Sequence, residues 1–413
     1  MKPKTCFINF AITVGVLTGC GVKNNNGNPQ PEKNISGAAS PVETESANTN
    51  YKPVVKGQTR ISGVKTSTAF SATIISAALA TPWGITSLPD GRLLVTEKAG
   101  RMRIVTTTGT VGNPITGIPS VNSSGQGGLL GLCIDPQFAT NRMVYWTFSE
   151  NVSGGNLTSV AKGRLSDNET SIENATVIYR AGPAAGGSAH FGSRILFDQT
   201  GNLVVSTGER SNISTRPLAQ SVTAALGKII RITTTGQPAP GNPVFSQAGA
   251  QPVLYSIGHR NPQGLAFHPT TGDLWLSEHG PRGGDEINRV QPGHNYGWPI
   301  ITYGIEYGGQ TIGSGIQQQE GMEQPVYYWD PVISPSGMTF YKGNRIPEWQ
   351  NNLFIAALSG RHIARLVIKE NRVVGEERLL AGENQRFRDI TQGIDNALYA
   401  ITDGGRLYRI DRQ

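Results

Sequence analysis

The chain has 413 residues, of which 37% are apolar and 16% charged, and its formal net charge is +7. The basic excess is mild and spread along the chain without a Lys/Arg block, which argues against a nucleic-acid partner. A balance of this kind suits anionic ligands.

The first element is a targeting segment. Lys2 and Lys4 precede an apolar run from Phe7 to Leu17, and Leu17-Thr18-Gly19-Cys20 closes it. The run is too short to span a bilayer, and the closing tetrapeptide resembles a bacterial lipobox, with residues 1–19 removed and Cys20 lipidated. Removal takes both lysines and no acid, so the net charge falls by two, to +5. Gly21 provides no Asp-type signal for inner-membrane retention. An exported lipoprotein of the cell envelope follows, at the outer membrane or the periplasmic face and held to the membrane by its lipid anchor alone. With Cys6 removed and Cys20 acylated, Cys133 stands in an apolar run without an intrachain disulfide partner, as a small core residue.

Residues 20–72 read as the lipidated Cys followed by a disordered tether. The stretch Asn24–Pro31 and the Ser/Thr/Glu-rich run from Ser36 to Asn50 are nearly free of aromatics. Such a composition buries too little surface to offset its ordering entropy.

Residues 73–413 form the body, and a turn–strand–turn–strand pattern recurs along it. Leu88-Pro-Asp-Gly-Arg-Leu-Leu-Val-Thr96 leads to Gly100–Ile104, and Ile134–Phe138 leads to Met143–Thr147. Phe197–Val205 precedes Gly227–Ile232, and Phe267–Leu276 precedes Asp285–Val290. Leu353–Leu358 with Ile363–Val367, and Gly393–Ile401 with Gly405–Ile410, complete the series. Six copies with the same internal turn order predict an all-β fold, a six-bladed β-propeller of four-stranded antiparallel blades. The long inserts at 233–251 and 304–325 are expected on a face of the disc, shaping its central mouth. A propeller alone does not name a reaction.

Several loops carry more polar chemistry than a turn requires. Ala189-His-Phe-Gly-Ser-Arg194 is followed by Thr207-Gly-Glu209, a His and a carboxylate that together make a minimal general-base pair. Next come Gly258-His-Arg-Asn-Pro-Gln-Gly264, Glu278-His-Gly-Pro-Arg-Gly-Gly-Asp-Glu-Ile-Asn288 and Gly293-His-Asn-Tyr-Gly-Trp-Pro299. Their backbone-exposing Gly and Pro residues beside carboxylates suit oxygen coordination of Ca²⁺. Taken singly, each also reads as a hydrogen-bonded propeller turn.

Taken together and in this order, these loops resemble the signature loops of the soluble PQQ-dependent glucose and aldose sugar dehydrogenases (glucose/sorbosone dehydrogenases; PQQ is pyrroloquinoline quinone). Gly125-Gln-Gly-Gly-Leu-Leu-Gly131 and Gln385-Arg-Phe-Arg-Asp389 fit the same family, and the resemblance spans roughly residues 75 to 411. It implies oxidation of the anomeric carbon of an aldose to a lactone, with PQQ and Ca²⁺ as cofactors and an external electron acceptor. It further implies that His190 takes the proton of the anomeric hydroxyl, that Glu209 orients His190, and that Arg260 stabilises charge on the quinone oxygen. Gln126 and Asn261 would contact quinone or substrate, and Tyr307 would wall the cofactor pocket. Arg386 and Arg388, two apart on one strand and so on one face, would pair with the PQQ carboxylates. The carbonyls of Gly280 and Pro281 would bind the Ca²⁺ that polarises the cofactor, while Glu286 and the carbonyl of Tyr296 would hold a second, structural Ca²⁺. The family pattern has a Lys where this chain has Ser359, and Arg361 is the nearby candidate to replace it. His259, His279, Trp329 and Trp349 are expected to be structural. Two other readings suit such a propeller: a Ca²⁺-dependent lactonase, which needs no PQQ, and a non-catalytic binding module.

Overall fold

The structure, a computed structural model, describes residues 39–413. Cys20 and the targeting segment lie outside the described residues. Six antiparallel sheets follow one another along the chain. Blade I comprises Pro82–Ser87, Leu93–Glu97 and Arg101–Val105, with bridges at Val111 and Ile115 along its outer edge. Blade II runs from Leu129 to Ala185, blade III from Gly192 to Ile257, blade IV from Pro262 to Trp329 and blade V from Pro335 to Leu379. Blade VI takes three strands from Phe387–Arg412 and its outermost strand, Phe70–Ser76, from the other end of the chain. The first strand of each blade contacts the first strand of the next, and the last returns to the first, which closes the six-bladed β-propeller. Five of the six sequence copies supply the central pair of a blade, whereas Ile134–Thr147 spans the end of the first strand of blade II and the start of its second.

The recurring turns explain where the strands break. In blade I, Leu88 and Arg92 pair across Pro89-Asp90-Gly91, with Gly91 at φ 91° and the Asp90 carboxylate accepting the Arg92 N–H. Asp198–Asn202 repeats the arrangement in blade III, with Gly201 at φ 79°. A left-handed backbone at that position is what glycine adopts without steric cost.

Burial is distributed between blades. Trp146 and Phe148 of blade II pack on Leu94 and Met102 of blade I. Trp275 and Trp329 of blade IV pack on Met338 and Ile355 of blade V. The other four junctions have clusters of the same kind. Each fully buried large side chain contributes about 1.5–3 kcal/mol of transfer free energy, so every blade is stabilised by two neighbours. Cys133 packs at the junction of blades II and III, and burial pushes its thiol far above the ordinary range, consistent with a core role.

Residues 39–69 correct the expectation of a disordered tether reaching residue 72. They form a strap along the rims of blades IV and V. The backbone N–H groups and side chains of Asn48 and Thr49 donate to the Asp330 carboxylate at 2.7–3.1 Å. Thr66 donates to Glu377 and receives the Trp349 indole N–H at 2.7 Å. Ser67 and Thr68 both donate to Glu348. The polar composition that reads as a solvated spacer is paired instead with carboxylates from the propeller.

Candidate active site

Two strand ends of blade III meet at the centre of the disc. His190 precedes the inner strand and Glu209 follows the next one; the Glu209 N–H donates to the Arg260 carbonyl at 2.9 Å. His190 itself lies at φ 51°, a conformation that costs a non-glycine residue about 1–3 kcal/mol and is retained where the surroundings impose it. Here the Gln126 side-chain oxygen accepts the His190 N–H at 2.9 Å, and Gly208 leaves room that a side chain would fill by running into the His190 carbonyl.

His190 Nδ1 lies 2.6 Å from Glu209 Oε1, and both side chains are buried. Burial, with the positive charges of Arg260, Arg210 and Arg216, holds the imidazole well below 6.5. Burial pushes Glu209 up to about 6, against the pull of the same arginines. Near neutral pH the ring is therefore neutral and the carboxylate ionised. Nδ1–H donates to Glu209, which leaves Nε2 as the free acceptor of a ring that lines the central cavity.

That cavity has a volume of about 370 Å³. Its lining holds four cationic side chains (Lys98, Arg260, Arg386 and Arg388) and one carboxylate, Asp403. Arg260 donates to the His279 carbonyl at 3.1 Å and to that of Gly280, and its guanidinium lies 5.2 Å from the Trp298 ring centre. Its Nε is buried without a partner. Arg388 Nε donates to Asp403 Oδ1 at 2.8 Å and NH1 to Gln263 at 2.9 Å, while Arg386 Nε meets the other Asp403 oxygen at 2.9 Å. Burial raises the Asp403 carboxyl, but Arg388 and Arg386 outweigh it and hold the group below the usual carboxylate value.

The other sequence candidates divide by position. Gln126 and Tyr307 line the cavity, with the Tyr307 hydroxyl 3.5 Å from Arg260. Asn261 is fully buried behind the lining, where it accepts the Gly192 N–H at 3.1 Å and keeps its amide nitrogen unpaired. Arg361 lies outside the cavity lining: it sits at φ 53° on the Ser359–Arg361 turn and donates to Asn384 at 2.7 Å. Of the two inserts, 304–325 contributes Tyr307 to the mouth, whereas 233–251 lines none of the cavity and folds back on blade III.

Gly280, Pro281, Glu286 and Tyr296 all border one small cavity of about 10 Å³ beside Arg260. Burial and then the charge of Glu278 raise the Glu286 carboxyl well above its ordinary value, and Asn288 Oδ1 nearby has no donor. A buried acid lacking a counter-charge beside main-chain oxygens is an environment that a hard cation relieves. Among the described residues no three His, Cys, Asp or Glu side chains converge as a metal cluster, and two carboxylates, Glu278 and Glu286, border this cavity beside the Gly280, Pro281 and Tyr296 main chain. The Gly280 carbonyl is already engaged by Arg260.

The sequence reading missed part of the wall. His279, expected to be structural, lines the cavity, is held neutral by burial, and has Nε2 buried without a partner. Trp83, Lys98, Gln263 and Asp403 also line it. The only signal for His279 was its place between Glu278 and Gly280. His259, Trp329 and Trp349 are structural as expected: His259 bridges Ser256 and Glu278, and both tryptophans sit in blade junctions.

Comparison with known proteins joins these features. Residues 79–409 match the glucose/sorbosone dehydrogenase family model. The chain is 39% identical over 334 residues to the aldose sugar dehydrogenase YliI of Escherichia coli, covering 80% of this chain and 89% of that protein. A solved glucose dehydrogenase shares 42% identity with a TM-score of 0.79, over 83% of this chain and 99% of its own. The PQQ-bound aldose sugar dehydrogenase of Streptomyces coelicolor shares 29% identity with a TM-score of 0.70, over 84% of this chain and 100% of its own. With a six-bladed propeller, a buried His–Glu pair and an arginine-lined central cavity, the chain belongs to the glucose/sorbosone dehydrogenase family of oxidoreductases.

Proposed function

We propose that this protein is a PQQ- and Ca²⁺-dependent aldose sugar dehydrogenase that oxidises the anomeric carbon to a lactone and works as an exported lipoprotein anchored through Cys20. The observation that carries the reading is the His190–Glu209 pair at one wall of a cavity that also holds Arg260, Arg386 and Arg388. Four cations against one carboxylate, with Arg260 Nε and His279 Nε2 unpaired, suit a polyanionic polar guest such as PQQ. The uncompensated Glu286 suits Ca²⁺ beside Gly280, Pro281 and Tyr296.

When bound, PQQ supplies the quinone carbon that accepts hydride, and Ca²⁺ polarises that quinone. The protein supplies the rest. His190 Nε2 takes the hydroxyl proton of the anomeric carbon as the C–H hydride departs, and the carbon–oxygen double bond of the lactone forms. Glu209 stabilises the imidazolium that results and fixes the tautomer beforehand. Arg260 directs N–H donors at negative charge developing on the acceptor. Arg386 and Arg388 hold carboxylates in the fork geometry that suits them.

The test is an absorbance titration of the mature protein with PQQ and Ca²⁺, followed by addition of aldoses. Binding is expected, then bleaching by sugar and dye-linked turnover. Binding without reduction by any sugar in a broad panel would count against the dehydrogenase reading, and lactone hydrolysis in the absence of PQQ would favour a lactonase.

A further inference from the structure

The cation expected opposite the cofactor's carboxylates is missing at Ser359. There the wall is neutral: the Ser359 hydroxyl meets that of Ser334 at 2.8 Å, and Ser334 and Leu358 face the cavity. Arg361 does not fill the gap, being engaged with Asn384 outside the lining. Positive charge enters from blade I instead.

Lys98 follows directly on the second strand of blade I and lines the same cavity as Arg386 and Arg388. Its backbone is pinned on both sides: its N–H donates to the Thr81 carbonyl at 3.1 Å, and its carbonyl accepts the Leu129 N–H at 3.0 Å. Gly128, at φ 134°, packs against that carbonyl so closely that a side chain there would collide with it. The ammonium donates to the Gly125 carbonyl at 2.6 Å, next to Gln126, which in turn holds the His190 N–H. One of the three ammonium donors is thus used for positioning, and the other two remain for a ligand. Half-burial and the neighbouring Arg388 both lower the Lys98 pKa. A cation held close to another cation is stabilised when an anion arrives between them. Arg386 and Arg388 already share Asp403, so they offer a guest less net charge than their number suggests.

We propose that Lys98 is a cofactor-binding residue that pairs with a PQQ carboxylate and takes the part left open by Ser359, so that the carboxylates are gripped from blades VI and I. The assignment rests on the PQQ reading above, and the experiment separates the two. PQQ is titrated by absorbance into the mature wild type, Lys98→Gln, Lys98→Arg and the double variant Lys98→Gln/Ser359→Lys, all with Ca²⁺ present. Apo melting temperatures are recorded alongside. Lys98→Gln is expected to raise the PQQ Kd about 10- to 100-fold, the range for a charge-assisted hydrogen bond. Lys98→Arg should stay within about threefold of wild type, and Ser359→Lys should recover most of the loss. All four apo proteins should melt together. A Lys98→Gln Kd within about twofold of wild type overturns the assignment while leaving the PQQ reading intact. Loss of affinity accompanied by a lowered apo melting temperature, without rescue by Ser359→Lys, overturns it as well. A wild type that takes up no PQQ overturns both.

Discussion

The two walls of the central cavity are each built around a carboxylate and a basic partner, but they are solvated differently. On one side His190 and Glu209 are almost completely buried, at 7% and 2% side-chain exposure. On the other, Asp403 is 24% exposed, Arg388 12% and Arg386 48%. Burial moves the first pair in opposite directions, holding the His190 imidazole well below its ordinary value and raising the Glu209 carboxyl to about 6, because neither charge is well solvated. On the second wall Asp403 stays ionised because Arg388 and Arg386 outweigh the cost of burial. One wall is suited to moving a proton, the other to holding fixed charge.

The strongest test of that division is His190→Gln, which should reduce kcat/KM for dye-linked aldose oxidation by about 10²–10⁴, the worth of a positioned general base. PQQ affinity, measured in parallel, should not change. Arg388→Gln should do the reverse, weakening PQQ binding about 10- to 100-fold because Asp403 and Gln263 lose their partner as the guest loses a fork. A pH profile of kcat/KM sharpens the contrast. Glu209 titrates near 6 and His190 below 6.5, so activity should be flat above about pH 7 and fall as pH drops through about 6, when the carboxylate and then the imidazole take up protons. PQQ affinity over the same range should change little, and a parallel fall would mean that the walls are coupled. The smallest effect belongs to Arg386→Gln. Its half-exposed ion pair is worth at most about 1 kcal/mol, so a change in PQQ affinity beyond about tenfold would show that Arg386 is a principal anchor.

How much of this was readable beforehand depended on the range of the interactions. Each blade's central hairpin is local, with turns such as Asp90-Gly91 and Asp198–Asn202 marking it, so the six repeats map one to a blade. His190, Glu209, Arg260 and the Arg386/Arg388 pair stood in motifs long enough to recognise. The strap did not, because the partners of Asn48, Thr49 and Thr66 lie about 280 to 310 residues downstream and nothing local signals them. Lys98 was hidden for a related reason. A lysine after a strand reads as a solvated turn residue until the ring closes and blade I comes to lie beside blade VI. The same closure brings Trp83 within 4.6 Å of the Arg194 guanidinium and 5.9 Å of that of Arg388.

The outermost strand of blade VI has one more consequence. Phe70 pairs with Arg412 and Ile74 with Tyr408, so the residues just before the family match cover the ladder of Leu407–Arg412. A chain trimmed to residue 79 would keep every catalytic candidate and yet leave that ladder of six residues open along one side. Unpaired N–H and C=O groups on a regular strand are a template for any extended chain, including a second copy of the same protein. Phe70–Ser76 therefore guards against self-association as well as completing the ring, and an expression boundary drawn at the family match would remove the guard.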